Sequence, residues 1–460
     1  MRTALLALVL SLITGCTTPS RWNQFRGPAN SGIADGAPIP ASWSKTENVV
    51  WSTEIPGSGW SSPVIWGDQV FVTSAITDFD AKQPSPGLFG NDDIEELIKQ
   101  GVSPAEAGRR ILERDIETTS QPAQIVRYMV YCLDVKSGGI LWEQKAHEGV
   151  PPGGRHRKNT YASATPVTDG QRVYAFFGNV GLFCFDMAGK PLWSQLITPG
   201  KIYLDFGTGS SPALCDDKVI ILNDNDTESI IAAYDAASGR ELWKNKREVR
   251  SGWSTPFVWR TTQRTEIVAA GGPWILSYSP DGQELWRCAL RNTVATTPIA
   301  SEHMLFVGVG SVNEPQQPLL AIRLGGSGDI SPTSGEDKSE FVAWRNTKAG
   351  PYIPSPIYYR GRIYVAYDKG FIAAFDAGTG ERLYRERIGE GGVSITASPL
   401  AADGKLYVLD EDGTMHIFEA GDAHKPLGQC KLEEFSMSSP AATPAGLFVR
   451  TQSRLYRIRA

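Results

Sequence analysis

Apolar and polar residues repeat along the chain in units of about 43 residues. A Ser or Thr followed by Pro opens each unit. Eight such pairs occur, at Ser62-Pro63, Thr165-Pro166, Ser211-Pro212, Thr255-Pro256, Thr297-Pro298, Ser355-Pro356, Ser398-Pro399 and Ser439-Pro440. Five of the seven intervals between them lie between 41 and 46 residues. Within a unit, short apolar runs alternate with polar turns, which predicts four short strands in each unit.

The second half of each unit carries a turn motif followed by an aromatic residue. In Tyr234-Asp-Ala-Ala-Ser-Gly-Arg-Glu-Leu-Trp243, the Asp accepts hydrogen bonds from turn N–H groups and the Gly takes a positive φ. The aromatic position recurs at Trp142, Trp193, Trp243, Trp286, Trp344 and Tyr384, and Trp51 shows it near the N-terminus. We expect each ring to pack into the neighbouring unit, burying about 200 Å², so its role is structural.

Four-stranded units at this period are typical of a β-propeller. The predicted fold class is therefore all-β: an eight-bladed β-propeller of four-stranded antiparallel blades, over residues 46–460. The last unit, residues 440–460, has room for about three strands only. Val49-Val50-Trp51 is predicted to supply its fourth strand and to close the ring. Seven blades with a stray motif is the alternative.

Two insertions interrupt the repeat. The first, at about residues 77–124 in blade one, contains Ser103, Pro104 and Glu106 in the order typical of a helix start, which predicts a short helical pair on one face of the propeller. The second, residues 325–338, is rich in Gly, Ser and Asp and is predicted to be a flexible loop.

The first residues are predicted to be a targeting segment. Arg2 precedes an apolar run at residues 4–13, and Leu12-Ile13-Thr14-Gly15-Cys16 resembles a bacterial lipobox. Residues 1–15 are then a lipoprotein signal peptide, and residues 16–45 are a lipidated N-terminus and linker with acyl chains on Cys16. Thr17 lacks the Asp that retains enterobacterial lipoproteins in the inner membrane, which favours the outer membrane, facing the periplasm. A plain secretory signal is the alternative.

Composition narrows the class of protein. The net charge is −5 and 41% of residues are apolar, values that exclude a disordered chain and a strongly basic nucleic-acid binder. Five cysteines follow Cys16, an odd number with no close pair, so neither a disulfide framework nor a metal site is expected. Cys132 and Cys184 occupy the place of Ala233 and Ala374 and are predicted to be small buried residues.

These motifs resemble the PQQ-repeat propellers, which include the quinoprotein dehydrogenases and the BamB lipoproteins. The resemblance rests on the Asp-x-x-x-Gly-x-x-x-Trp pattern, with Trp22-Asn-Gln-Phe-Arg-Gly-Pro28, Trp60-Ser-Ser-Pro-Val64 and Lys158-Asn-Thr-Tyr-Ala-Ser163, and covers residues 22–460. It implies a non-catalytic, monomeric binding or scaffold lipoprotein of the cell envelope. The expected partner is an envelope protein such as a β-barrel assembly component.

A PQQ-dependent periplasmic dehydrogenase and a polysaccharide-binding propeller are the alternatives. Quinoprotein dehydrogenases commonly carry two adjacent cysteines against the quinone and a Ca²⁺ ion held by Glu, Asn and Asp, and no two cysteines here are adjacent. Residues 223–226 and 410–413 are acidic but are predicted to be polar turns. We therefore expect neither PQQ nor calcium, and we assign no catalytic residue.

The expected topology places the candidate binding residues on one face. Loops from second to third strands and loops between blades leave the same face, so the helical insertion should lie beside residues 147–161. That loop carries Arg155, His156, Arg157, Lys158, Asn159 and Tyr161, residues 244–250 are also basic, and Trp60 and Trp253 stand near the channel mouth. This face suits an anionic or sugar-like ligand or a protein partner. Partner capture there should weaken as salt rises, and replacing residues 155–158 by Ala should leave stability nearly unchanged. The alternative is a solvated loop whose cations pair with local carboxylates.

Overall fold

The computed structural model describes residues 21–78, 84–87, 93–119, 124–290, 294–310, 315–389 and 392–460. Eight antiparallel sheets surround a central channel, each with its first strand nearest the channel, which confirms the predicted eight-bladed propeller. The strands of blades one to four are Val64–Trp66, Gln69–Thr77, Val126–Asp134 and Ile140–Gly149; Val167–Thr168, Arg172–Phe177, Gly181–Asp186 and Pro191–Leu196; Ala213–Cys215, Lys218–Asn223, Ser229–Asp235 and Glu241–Arg247; and Phe257–Arg260, Thr265–Gly271, Trp274–Tyr278 and Glu284–Ala289.

Blades five to eight follow the same order. Their strands are Ile299–Ala300, Met304–Gly308, Leu319–Arg323 and Val342–Asn346; Ile357–Tyr359, Arg362–Tyr367, Phe371–Asp376 and Arg382–Arg387; Leu400–Ala402, Lys405–Leu409, Thr414–Glu419 and Pro426–Lys431; and Ala441–Thr443, Gly446–Arg450, Arg454–Ile458 and Val49–Glu54. Two short strands add to the blade sheets: Arg21–Trp22 extends blade one and Gly328–Asp329 extends blade four. Single turns of 3₁₀ helix cover Pro28–Asn30 and Tyr203–Asp205.

Both ends of the chain build blade eight. Strand Val49–Glu54 pairs antiparallel with Arg454–Ile458, so that Trp51 lies opposite Arg457. The predicted closing strand is therefore confirmed, and the seven-bladed alternative is wrong.

The recurring Trp residues join each blade to the next. The Trp51 indole N–H donates to the carbonyl oxygen of Val135 at 2.8 Å, and its ring lies so close to Gly138 that a Cβ there would approach to 2.5 Å. Trp142, Trp193, Trp243 and Trp344 repeat this contact on the following blades. Trp286 differs, because its indole donates to the Glu266 carboxylate of its own blade at 2.6 Å, and Tyr384 places its ring 5.8 Å from His424.

Blade seven lacks the aromatic residue at this position. The registers place Gly428 opposite Ile417, where blades one, two and three pair Cys132, Cys184 and Ala233 with their Trp residues. Trp43, only 4% exposed, lies beside Cys430 in the same core cluster. Trp43, which the sequence assigned to the linker, therefore packs on the propeller. Its indole ring supplies apolar contact in the blade that lacks the recurring aromatic residue.

The insertions are both ordered where the structure describes them. The first contains α1, Asp93–Lys99, and α2, Pro104–Thr119, whose start at Pro104 agrees with the sequence, since Ser103 Oγ accepts the Glu106 N–H. The second insertion was predicted to be flexible. Instead, Gly328–Asp329 pairs with Trp286–Arg287, because this edge of blade four offers unpaired backbone groups. Among the described residues, no helix is long and apolar enough to cross a membrane.

Residues 21–36 cross the channel at the end where first strands turn into second strands, which we call the closed end. Trp22 pairs with Ile65 of blade one, and Asn23 O accepts the Thr168 N–H of blade two at 2.9 Å. Gly32 O accepts the Ala401 N–H of blade seven at 2.9 Å, and Asp35 accepts the hydroxyl of Tyr359 in blade six at 2.6 Å. Four blades are therefore tied together by one segment.

Arg26 lies within this segment and is 2% exposed. Its guanidinium nitrogens have no hydrogen-bond partner among the described residues. Burial lowers the pKa of Arg26 to about 9, because the charged form loses its hydration. The sequence motif around Arg26 gave no sign of this burial.

Candidate functional site: the channel and its mouth

A ring of hydroxyl groups lines the channel. The Ser/Thr residues that open the blades are buried, and in six of the blade pairs the backbone N–H of one donates to the hydroxyl oxygen of the next at 2.9–3.1 Å: Ser62 to Thr165, Thr165 to Ser211, Ser211 to Thr255, Thr297 to Ser355, Ser355 to Ser398 and Ser398 to Ser439. This ring explains why each unit opens with Ser or Thr, since the innermost N–H groups would otherwise lack partners.

Above the ring the channel widens into a cavity of about 1280 Å³. It opens between exposed residues Glu228, Lys246 and Arg250, on the side of the blade-to-blade loops. We call this end, built by residues 151–161, 201–208, 225–228 and 246–251, the mouth. Phe25 lines the cavity from the closed end.

Trp60 and Trp253, predicted near the mouth, both line the cavity. The Trp60 indole N–H donates to Lys158 O and the Trp253 indole N–H donates to Gly207 O, each at 2.7 Å. Each ring thus holds one mouth loop while presenting an edge or face to the cavity. The two positions are equivalent in their blades, because each lies three residues before the Pro of the Ser/Thr-Pro pair that opens the unit.

The predicted cation run does not form a uniform exposed surface. Arg155 stacks over the Tyr161 ring at 5.6 Å and donates to Asn159 O at 2.8 Å, and burial lowers the pKa of its guanidinium. The Asn159 amide donates to Phe206 O at 2.8 Å and Thr208 O at 3.1 Å, which ties this loop to residues 201–208. Arg155, Tyr161 and Asn159 therefore hold the shape of the mouth.

His156 lies in the cavity wall. Its ring meets Phe206 edge-on at 4.9 Å, and its Nδ1 accepts the Lys158 N–H at 3.2 Å. Loss of hydration, together with the neighbouring charges of Lys158, Arg157 and Arg155, lowers the pKa of His156 to about 4. The imidazole is therefore neutral at neutral pH.

Lys158 is buried, which corrects the prediction that the whole cation run lies at the surface. Its Nζ lies 2.5 Å from Glu411 Oε1, and the two side chains are 7% and 2% exposed. Glu411 also accepts the Thr396 hydroxyl at 2.5 Å and the Gly87 N–H at 3.0 Å, while Lys158 donates to Gly87 O at 2.7 Å. The partner lies 253 residues away in sequence, so no local pattern could reveal it.

These bonds also locate the first insertion. Gly87 belongs to it and contacts both members of the ion pair, and α2 contacts Tyr203–Asp205. The insertion therefore lies at the mouth, beside residues 147–161. Ala107 and Ile111 supply the buried side of α2.

The two acidic loops are turns whose carboxylates are already bonded. Asp224 receives two bonds from the Arg247 guanidinium, at 2.9 and 3.1 Å, and both side chains are buried. Asn225 accepts the N–H groups of its own turn, and Asp410 accepts those of Asp412 and Thr414 and contacts His416 at 2.8 Å. In the part of the chain that the structure describes, no three His, Cys, Asp or Glu side chains cluster as metal ligands would.

The residues present do not fit a calcium-bound quinone of the kind the dehydrogenases use. Asp224 is paired with Arg247, Asn225 accepts N–H groups of its own turn, and Asp226 accepts the Ser251 N–H. The five described cysteines are buried and unpaired, in blades one, two, three, four and seven, and burial raises the pKa of Cys132 to about 12. A thiol in such a setting packs as a small apolar group, as predicted for Cys132 and Cys184.

The fold and channel define an eight-bladed propeller with one end closed and one end open. Residues 126–249, 226–312 and 328–429 match the family described as outer membrane protein assembly factor BamB. These matches cover more than half of the chain, which therefore belongs to this PQQ-repeat family. No match to this sequence was found among the curated proteins.

Solved structures similar to this chain include a BamB protein and two dehydrogenases. BamB from Moraxella catarrhalis is 15% identical, with 72% of this chain and 89% of that chain covered and a TM-score of 0.49. A europium-containing methanol dehydrogenase is 11% identical, with 95% and 91% covered and a TM-score of 0.57. Quinohemoprotein alcohol dehydrogenase from Comamonas testosteroni is 12% identical, with 95% and 80% covered and a TM-score of 0.54. At such identities the likeness shows the fold alone.

Proposed function

We propose that this protein is a non-catalytic binding lipoprotein of the bacterial cell envelope, held by acyl chains on Cys16 at the outer membrane and facing the periplasm. Its mouth binds an envelope protein, with a β-barrel assembly component as the first candidate. Membership of the BamB family supports the envelope setting and the class of partner.

The observation that carries a binding role is the pairing of the buried charges of the channel. A general acid or base must reach a substrate proton, whereas these side chains are at most 7% exposed and are bonded to one another. The pairs are Lys158 with Glu411 and Arg247 with Asp224. The pairs stiffen the channel wall and leave recognition to the loops around it.

Tyr203 is the aromatic side chain best placed for a partner. It is 53% exposed, lines the cavity, and its ring meets Phe206 at 6.0 Å. An aromatic anchor at the centre of a rigid set of loops is typical of a binding hot spot.

The test is binding of the purified periplasmic part of the β-barrel assembly protein of the same bacterium. Tyr203→Ala should weaken the complex at least tenfold, an effect of the order of 1–2 kcal/mol. Leu141→Ala is the matched control, because Leu141 is equally exposed but lies at the closed end. Equal affinity of the wild type and Tyr203→Ala would contradict binding at the mouth, and absence of any complex would contradict this partner.

A quinone enzyme is tested separately by titrating the protein with PQQ and Ca²⁺. Dye-linked oxidation of alcohols or sugars by the titrated protein would overturn the non-catalytic role. We expect none, because the calcium donors and the cysteine pair are not available in this channel.

A polysaccharide ligand is favoured by one observation, the aromatic side chains of Trp60, Trp253 and Tyr352 along the cavity. Oligosaccharide binding that is lost in Trp253→Ala, together with no protein complex, would replace the protein partner by a glycan.

A further inference from the structure

The start of the described chain fixes where a lipid on Cys16 must lie. Arg21 is exposed and pairs with Trp66, with its guanidinium 4.5 Å from the Trp66 ring. Trp66 directly precedes the Gly67-Asp68 turn, at the closed end. Four residues lie between Cys16 and Arg21, and five residue steps of fully extended chain span about 17 Å. Acyl chains on Cys16 therefore stay beside the closed end of blade one.

A band of exposed apolar side chains lies at the same end. In blades seven, eight, one and two, the fourth strand starts with residues that are 41–53% exposed: Leu427, Val50, Ile140, Leu141 and Leu192. These four blades are neighbours in the ring, with blade one among them. We call this band the apolar rim.

Hydrogen bonds link the rim to the site of Arg21. The turn before Ile140 contacts the Gly67-Asp68 turn, since Val135 N–H donates to Asp68 O at 2.8 Å and Lys136 Nζ lies 3.2 Å from the Asp68 carboxylate. The start of the fourth strand and the entry of the chain therefore share one end of blade one.

The other blades do not continue the rim. Leu242, Leu285 and Leu383 hold the same position, next to the recurring aromatic residue, yet they are half-buried, and Ala343 is buried. At this strand position, the exposed apolar side chains are thus confined to one arc, and that arc contains the blade at which the chain enters. Ile125, Val150 and Leu196 are also exposed, but they lie at the other ends of their strands. Scattered surface Leu residues need no explanation, but a contiguous arc marks an interaction surface.

We infer that the apolar rim rests on the bilayer that holds the Cys16 acyl chains, so that the mouth faces away from the membrane. This orientation rests on the lipid tether of the proposed function. A lipid anchor alone leaves a protein free to rotate, whereas an apolar surface beside the anchor adds a second contact and selects one orientation. The closed end is suited to this role because residues 21–36 close it, and the mouth remains open to the periplasm.

The test uses the full-length lipoprotein, reconstituted into vesicles of phosphatidylethanolamine and phosphatidylglycerol. Leu141→Cys and Tyr203→Cys provide matched labelling sites, because both side chains are 53% exposed but lie at opposite ends of the channel. The described native cysteines are buried, so an environment-sensitive dye attaches to the introduced thiol. Spin-labelled lipids should quench the dye at position 141 several-fold more strongly than at position 203. Equal quenching, or stronger quenching at position 203, would overturn the orientation.

Leu192→Cys is a second rim site, used if Leu141→Cys lowers the melting temperature, and it should behave as position 141 does. Mass spectrometry of the extracted protein reports whether Cys16 carries acyl chains, and an unmodified Cys16 would also overturn the inference. An unmodified Cys16 would also overturn the lipid tether of the proposed function, whereas the quenching result tests the orientation alone. Neither result bears on partner binding at the mouth, which Tyr203→Ala measures in solution.

Discussion

The closed end and the mouth of the channel differ in what builds them. Short turns of the repeat and one segment, residues 21–36, make the closed end, and that segment bonds to four blades. Loops of unequal length make the mouth, where an ion pair connects Lys158 of the loop between blades one and two to Glu411 of blade seven. Regular elements supply stability, whereas elements that depart from the repeat supply distinct surfaces. The proposed binding surface therefore lies where the repeat is least regular.

The largest effect on stability should come from the closed end. Trp22 is 1% exposed, so Trp22→Ala should lower the free energy of unfolding by about 3–5 kcal/mol through loss of apolar burial and creation of a cavity. Trp253→Ala, at the half-buried mouth position, is the comparison and should cost less. Urea unfolding measures both, and equal losses would remove the distinction between the two ends.

Lys158→Ala should show that one part of the mouth is structural. The substitution leaves Glu411 buried without its cation, at a cost of about 3 kcal/mol. This differs from the expectation, drawn from the sequence, that residues 155–158 tolerate Ala.

The double variant Lys158→Met with Glu411→Leu is the control for this ion pair. It removes both charges and should recover most of the lost stability. Thermal unfolding of the three proteins at pH 7 decides the matter, and a single variant as stable as the wild type would show that the pair is dispensable.

The free energy of unfolding should depend on pH more strongly in the wild type than in a variant that lacks His156. Its pKa of about 4 lies below the value near 6.5 of an unfolded chain. The unfolded chain therefore gains a proton as the pH falls below 6.5, while the folded protein does not until about 4. The contribution of the neutral His156 to the free energy of unfolding is therefore fully present above pH 6.5 and decreases as the pH falls toward 4. The decrease between pH 7 and 5 is on the order of 1 kcal/mol.

His156→Phe keeps the ring contact with Phe206 and removes the titration. Its unfolding free energy should fall less between pH 7 and 5 than that of the wild type, since carboxylates contribute equally to both proteins. Parallel pH profiles would contradict the buried, neutral imidazole.

The smallest effect should come from Arg26→Met. A buried guanidinium without partners is unfavourable, so a Met of similar length should leave stability unchanged or raise it by up to about 1 kcal/mol. Arg26→Ala is the control, because it also removes the packing of the side-chain stem. A clear loss in Arg26→Met would show that the charge itself stabilises the closed end.

The fold was predictable from the sequence because its determinants repeat. The Ser/Thr-Pro pairs, the Asp-x-x-x-Gly turn and the recurring Trp appear often enough to fix the blade number, and Val49-Val50-Trp51 revealed the closing strand. Features that depart from the repeat were not predicted. Gly428 replaces an aromatic residue, and nothing in the local sequence shows that Trp43 packs nearby.

The site was only partly predictable. Trp60, Trp253 and the 147–161 loop were assigned to the mouth from topology alone, and they line the cavity or its wall. The burial of Lys158 and of Arg26 depends on contacts between distant segments, such as the Glu411 carboxylate for Lys158. A charged residue in a loop has no periodic pattern that would distinguish a surface position from a buried one.

Blade eight has a consequence for the order of folding. Its outer strand is synthesised among the first 54 residues, while the strand beside it, Arg454–Ile458, is the last of the chain. Contacts between such distant segments form late, because the intervening chain must first become compact. Until then Val49–Glu54 has an unpaired edge that favours aggregation. A chaperone that shields this segment until blade eight closes would therefore be expected to reduce aggregation.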